Sequence, residues 1–91
     1  MAITAVFEVP GFTAAQYNQV IKDLEKAGQG KPKGRTHHSS SIMPGGFYVV
    51  DLWESQEKLD KFAQVLMPIL VRNGVTPPQP KIMPTHNVIK G

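Results

Sequence analysis

The run from Pro44 to Glu54 constrains this chain more than any other feature. Pro44-Gly45-Gly46 carries strong turn chemistry. Behind it Phe47, Val49, Asp51 and Trp53 alternate with Tyr48, Val50, Leu52 and Glu54, the period of two that marks a strand. Residues 35–43, ahead of the turn, are unusually polar, and only Thr36 and Ile42 lend them β-propensity. Their position predicts the other arm of a β-hairpin.

The flanking segments supply the remaining elements. Ile3, Ala5, Phe7 and Val9 alternate with Thr4, Val6 and Glu8, a strand that Pro10-Gly11 ends. Thr13 and Gln16 have the spacing of a capping box, and Phe12 and Tyr17 that of a hydrophobic staple. Tyr17, Val20, Ile21 and Leu24 form one apolar stripe, and Gly28 suits the residue just past a helix end. The spacing predicts a helix over about 13–27. Ser55 caps a second helix whose apolar face is Leu59, Phe62, Ala63, Leu66, Ile69 and Leu70. Pro68 is expected to kink or break it, and Asn73-Gly74 to stop it. Thr76 to Pro80 is an extended linker. Lys81 to Ile89 is predicted as a last strand, with Pro84 placing it at an edge or bulge.

The order βαββαβ is the ferredoxin-like, α+β plan. It places four antiparallel strands in one sheet with two helices on one face, strands one and three being central. The 91 residues make a single domain, 1–91. A chain this short buries only about 60–65% of its unfolded surface. With both helices on one face, the opposite face needs a cover, and a second copy related by a two-fold axis is the simplest. A homodimer, a dimeric α/β barrel, is therefore expected.

Charge and composition narrow the partners. The net charge is +3, and the basic residues gather in the Lys31–Arg35 loop rather than in a stripe with aromatics. That argues against nucleic acid. No apolar run approaches the roughly 20 residues of a membrane span. Without cysteine the chain has no disulfides, thiolate metal sites or thiol nucleophiles. With no secretory leader visible, a cytoplasmic location is expected.

Gly45 to Ser55 resembles the hairpin of dimeric α/β-barrel proteins. More narrowly, it resembles small bacterial proteins related to antibiotic-biosynthesis monooxygenases. Pro10-Gly11-Phe12-Thr13 with Gln16-Tyr17, and Thr85-His86-Asn87-Val88-Ile89, are similar as well. The resemblance implies a dimer whose sheets face each other, often with the last strand reaching the partner. It also implies a pocket between sheet and helices in each subunit. Members of the group oxidise polycyclic phenols with molecular oxygen and no metal or flavin, cleave haem, or isomerise or dehydrate small metabolites. Haem-cleaving relatives use an asparagine on the first strand, a histidine on the second helix and the tryptophan. Only Trp53 matches here, which argues against haem cleavage.

Three histidines are the side chains whose ordinary titration falls near neutrality. His38 lies where relatives of the narrower group carry a histidine, and His86 lies in the last segment. Either is a candidate general base. The two would meet only if the last strand of one subunit paired with the second strand of another. The plainer reading makes both ordinary polar strand residues. His37 must face away from His38 and is read as solvated. Asp51 and Trp53 share a face, where a carboxylate beside an aromatic platform suits a planar ligand bearing a hydroxyl or amine. A strand tryptophan beside helices is also a natural core residue. Tyr17 and Tyr48 are candidate donors to a phenolate, although Tyr17 also fits the helix staple. Asn87 completes the ligand-binding candidates. No spacing demands a metal, the Gly28–Gly34 loop lacks a nucleotide fingerprint, and Ser39–Ser41 lack a nucleophile elbow.

Two functions are compatible with these residues. One is a cofactor-independent, monooxygenase-like enzyme acting on a small aromatic or carbonyl metabolite, with His38 or His86 as base and Asp51 orienting or polarising. The alternative is a non-catalytic ligand-binding or assembly module with the same pocket.

Overall fold

Thr13 accepts the backbone N–H of Gln16 while the Gln16 side chain accepts that of Thr13, so the capping box forms as the spacing requires. It opens the first of two helices in a computed structural model that describes all residues, 1–91. The elements are β1 (Ile3–Pro10), α1 (Ala14–Lys26), β2 (Arg35–Met43), β3 (Gly46–Trp53), α2 (Gln56–Arg72) and β4 (Lys81–Pro84). All pairings are antiparallel, in the order β2-β3-β1-β4. This is the ferredoxin-like α+β fold, with β1 and β3 central.

The alternation seen in sequence becomes two faces. Ile3, Ala5, Phe7 and Val9 of β1, with Phe47, Val49, Asp51 and Trp53 of β3, are buried. They pack beneath Val20 and Leu24 of α1 and Leu59, Phe62, Ile69 and Leu70 of α2 in one apolar cluster. The tight joint between β1 and β3 requires glycine at position 46. A Cβ there would collide with the backbone carbonyl of Val9. Gly45, in the turn before it, sits at φ 79°, a conformation that glycine adopts without steric cost.

Two expectations change. Pro68 does not break α2, which runs on to Arg72. Both Pro68 and Gln64, whose carbonyl loses its helical donor, are exposed, so water can satisfy that oxygen. The last strand ends at Pro84 rather than Ile89. Register supplies the reason: Pro84 pairs with Ile3, and Thr85 N–H donates to the Ala2 carbonyl at 3.0 Å. Beyond that point the pairing with β1, which begins at Ile3, stops, and residues 86–91 are exposed.

Candidate functional site

The hairpin turn sets the geometry of the site. Pairing of Met43 with Gly46 across the turn brings His38 directly opposite Asp51 on the helix-facing side. Cross-strand neighbours lie close enough for their side chains to meet. His38 Nδ1 stands 2.6 Å from Asp51 Oδ1, and Trp53 Nε1–H donates to Asp51 Oδ2 at 3.4 Å. On the other side of the imidazole, His38 Nε2 stands 2.9 Å from the Tyr17 hydroxyl.

These contacts define the direction of the chain. A carboxylate only accepts, so the proton between His38 and Asp51 belongs to Nδ1. In the neutral ring Nε2 then carries the lone pair, and Tyr17 O–H donates to it. The sequence Asp51···H–Nδ1, Nε2···H–Oη therefore polarises the Tyr17 hydroxyl through the imidazole. The short Nδ1–Oδ1 distance is that of a charge-assisted bond. The side chain of Asp51 is 6% exposed and that of His38 is 23% exposed, so the carboxylate is sealed while the imidazole remains partly accessible.

Packing holds the Tyr17 ring in place. Phe12 meets it edge-on at 6.0 Å between centroids, the contact of the hydrophobic staple. Phe47 stacks on it at 5.2 Å with the planes 10° apart. Phe12 and Phe47 also touch each other, at 5.4 Å. Tyr17 is thus at once a staple residue and a member of the hydrogen-bonded chain.

An apolar cavity of about 70 Å³ adjoins this chain, between the sheet and both helices. Tyr17, His38 and Asp51 are among its polar lining, with Val49, Phe62 and Leu66 among the apolar lining. The volume is roughly half the ~150 Å³ that accepts benzene in an engineered apolar cavity. A single-ring ligand would protrude from it or spread its walls, and a polycyclic one would need a larger opening.

The other candidates lie elsewhere in the chain. Trp53 is fully buried against Phe62 at 5.3 Å and does not line the cavity; its role there is to donate to Asp51. Tyr48 is on the opposite sheet face, 37% exposed. His86 and Asn87 are exposed past the end of β4. The strand placement expected for them fails because the pairing with β1 stops at Pro84, and within one chain His86 joins neither His38 nor Asp51. His37 is exposed, its ring beside the Thr36 hydroxyl.

Sequence reading missed Arg35, which lines the cavity. Regular alternation would put residues 35 and 38 on opposite faces. The register instead shifts between Arg35 and His37, with Arg35 opposite Trp53 and His37 opposite Leu52. Thr36 is the extra residue of a β-bulge, a device that re-aims the side chain beside it. No periodicity in the sequence announces that shift. The His38–Asp51 pair, by contrast, follows from counting back from a two-residue Pro44-Gly45 turn.

No protein-family model matches the sequence, and no curated protein matches it. Solved structures do share its shape. A Chloroflexus aurantiacus protein provisionally described as an antibiotic biosynthesis monooxygenase superposes with a TM-score of 0.66 at 12% identity, covering 100% of both chains. A Deinococcus radiodurans protein with the same provisional description gives 0.62 at 15% identity, covering 99% of this chain and 97% of the other. A Nitrosomonas europaea protein of unknown function gives 0.61 at 18% identity, over 99% and 94%. At these identities the likeness establishes the fold alone: this chain shares the ferredoxin-like architecture of these three proteins.

Proposed function

We propose that this chain, built on the fold of the antibiotic-biosynthesis-monooxygenase-like proteins, is a cofactor-independent enzyme acting on small phenols or enolisable carbonyl compounds. The observation that carries this reading is the Asp51–His38–Tyr17 chain on the wall of an apolar cavity. A ligand's acidic O–H or C–H placed beside Tyr17 gives its proton to the phenolic oxygen as Tyr17 gives its own to His38 Nε2. Alternatively, the ligand displaces the Tyr17 hydroxyl and meets Nε2 directly. In either case the carboxylate of Asp51 stabilises the imidazolium that forms, and the apolar walls exclude water from the anion. With oxygen as co-substrate, the phenolate passes electrons to O₂, giving a quinone and water from one phenol and one O₂. The cavity size favours single-ring substrates over polycyclic ones.

The same reading makes the chain a homodimer through its uncovered sheet face. Val6, Val50 and Leu52 there are only half-buried, beside Tyr48 and Met83. The unpaired tail carrying His86 and Asn87 is free to meet a partner's edge strand.

The test is oxygen uptake, with product analysis, across a panel of single-ring phenols and hydroquinones. Loss of a general base lowers turnover by about 10²–10⁴. His38→Gln, whose amide N–H can still donate to Asp51, is expected to fall within that range while remaining folded. A His38→Gln protein that matches wild type on every substrate that wild type turns over would remove His38 from the chemistry. Tight binding with no product anywhere in the panel would favour the ligand-binding module.

A further inference from the structure

Arg35 is an unusual member of an apolar cavity. The Thr36 bulge turns it onto the helix-facing side, and its guanidinium carbon sits 5.6 Å from the centroid of the Phe62 ring. The ring face favours a cation but leaves the in-plane N–H donors free. None of the protein's ion pairs includes Arg35: they are His38–Asp51, Lys58–Glu54, Lys61–Glu57 and Arg72–Asp23. No carboxylate therefore neutralises Arg35, although Asp51 lines the same cavity. Asp51 is already committed at both oxygens, to His38 and to Trp53. A permanent, half-buried charge has thus been brought to the cavity without a partner, where burial makes an unpaired cation costly. Phe62 also borders a neighbouring groove lined by Lys33, Lys58 and Lys61. Lys58 and Lys61 there are paired to Glu54 and Glu57, and Lys33 is in no ion pair.

We infer that the ligand of this cavity is an anion, a small aromatic or unsaturated carboxylate whose carboxyl group pairs with Arg35 while its ring or carbonyl end faces Tyr17 and His38. This rests on the proposed use of the cavity and adds the substrate class. The planar fork of a guanidinium matches a carboxylate in two parallel hydrogen bonds. Anchoring one end in this way fixes which hydrogen reaches the Tyr17–His38 pair. An apolar pocket alone would leave a small ring free to turn over.

The experiment compares benzoate with benzamide, near-identical in shape and different in charge. Binding to the intact protein is followed by calorimetry and by the Trp53 indole N–H resonance. Wild type is expected to prefer benzoate by about tenfold or more at low ionic strength, the scale of a charge-assisted pair. Arg35→Met is expected to abolish the preference, leaving benzamide affinity nearly unchanged. Arg35→Lys, which keeps the charge and loses the fork, should retain part of it. Added salt gives a readout on wild type alone, narrowing the preference if Arg35 attracts the anion. His38→Gln should keep the preference, since the anchor is separate from the base. Equal affinity for the two probes in wild type, or an undiminished preference in folded Arg35→Met, would overturn the anionic class while leaving the proposed base intact. Failure of both probes to bind would overturn the ligand cavity itself, and with it this inference.

Discussion

Asp51 is the one buried charged side chain in the protein, and its neighbours account for its presence there. His38 and Trp53 each donate to a different oxygen, so burial leaves neither oxygen bare. Removing the carboxylate would leave two donors facing apolar surroundings. Asp51→Ala is expected to lower stability by about 2–4 kcal/mol. Asp51→Asn, which keeps an acceptor, should cost about half as much or less. Urea unfolding of the two variants checks this, and equal losses would mean that the site contributes shape rather than acceptors. At this scale the sequence was legible where strand alternation applied. It put Asp51 and Trp53 on one face and separated His37 from His38. It failed at Arg35, because one inserted residue in β2 reverses the alternation and leaves no compositional trace.

The helices are joined by polar contacts at one end. Asn73, which ends α2, donates from Nδ2 to Asp23 on α1 at 3.0 Å, and its carbonyl accepts from Gln16 Nε2 at 3.1 Å. The hydrogen bond from Asn73, followed by that from Gln19, holds the Asp23 carboxyl below its ordinary value of 3.8. A depressed folded-state value means that its contribution is present above 3.8 and disappears as pH falls through the lower, folded-state value. Wild type should therefore lose thermal stability more steeply below pH 3.8 than Asp23→Asn does, with the two curves converging in acid. Melting curves across that range test the contact; parallel curves would deny the coupling. The elements themselves were mostly readable. Capping box, staple, turn and apolar stripes are local signals, and each formed where it was expected. The end of β4 was not readable, because it depends on where a different strand starts. The break allowed for at Pro68 did not occur for a related reason: the penalty for a helical proline depends on whether the freed carbonyl reaches water.

At the scale of the molecule, one sheet face carries the helices and the other carries none. Val6, Val50, Leu52 and Met83 on the bare face would gain from a second copy. Sedimentation at micromolar concentration is expected to give a dimer, and Leu52→Lys to shift it toward monomer without changing the cavity. A wild-type monomer would contradict the homodimer. The fold class was legible from the order of six elements, since βαββαβ leaves few ways to close a sheet. The cavity was not, because its volume is what remains after many side chains have packed.

The measurement that bears most directly on the proposed chemistry is the tautomer of His38, read from the ¹⁵N chemical shifts of its ring in the neutral state. The hydrogen-bonded chain requires the proton on Nδ1, directed to Asp51, and the lone pair on Nε2, directed to Tyr17. Tyr17→Phe should perturb Nε2 while leaving the proton on Nδ1. A neutral ring protonated at Nε2 would turn its donor toward Tyr17, leave Asp51 without its proton partner, and contradict the base assigned here.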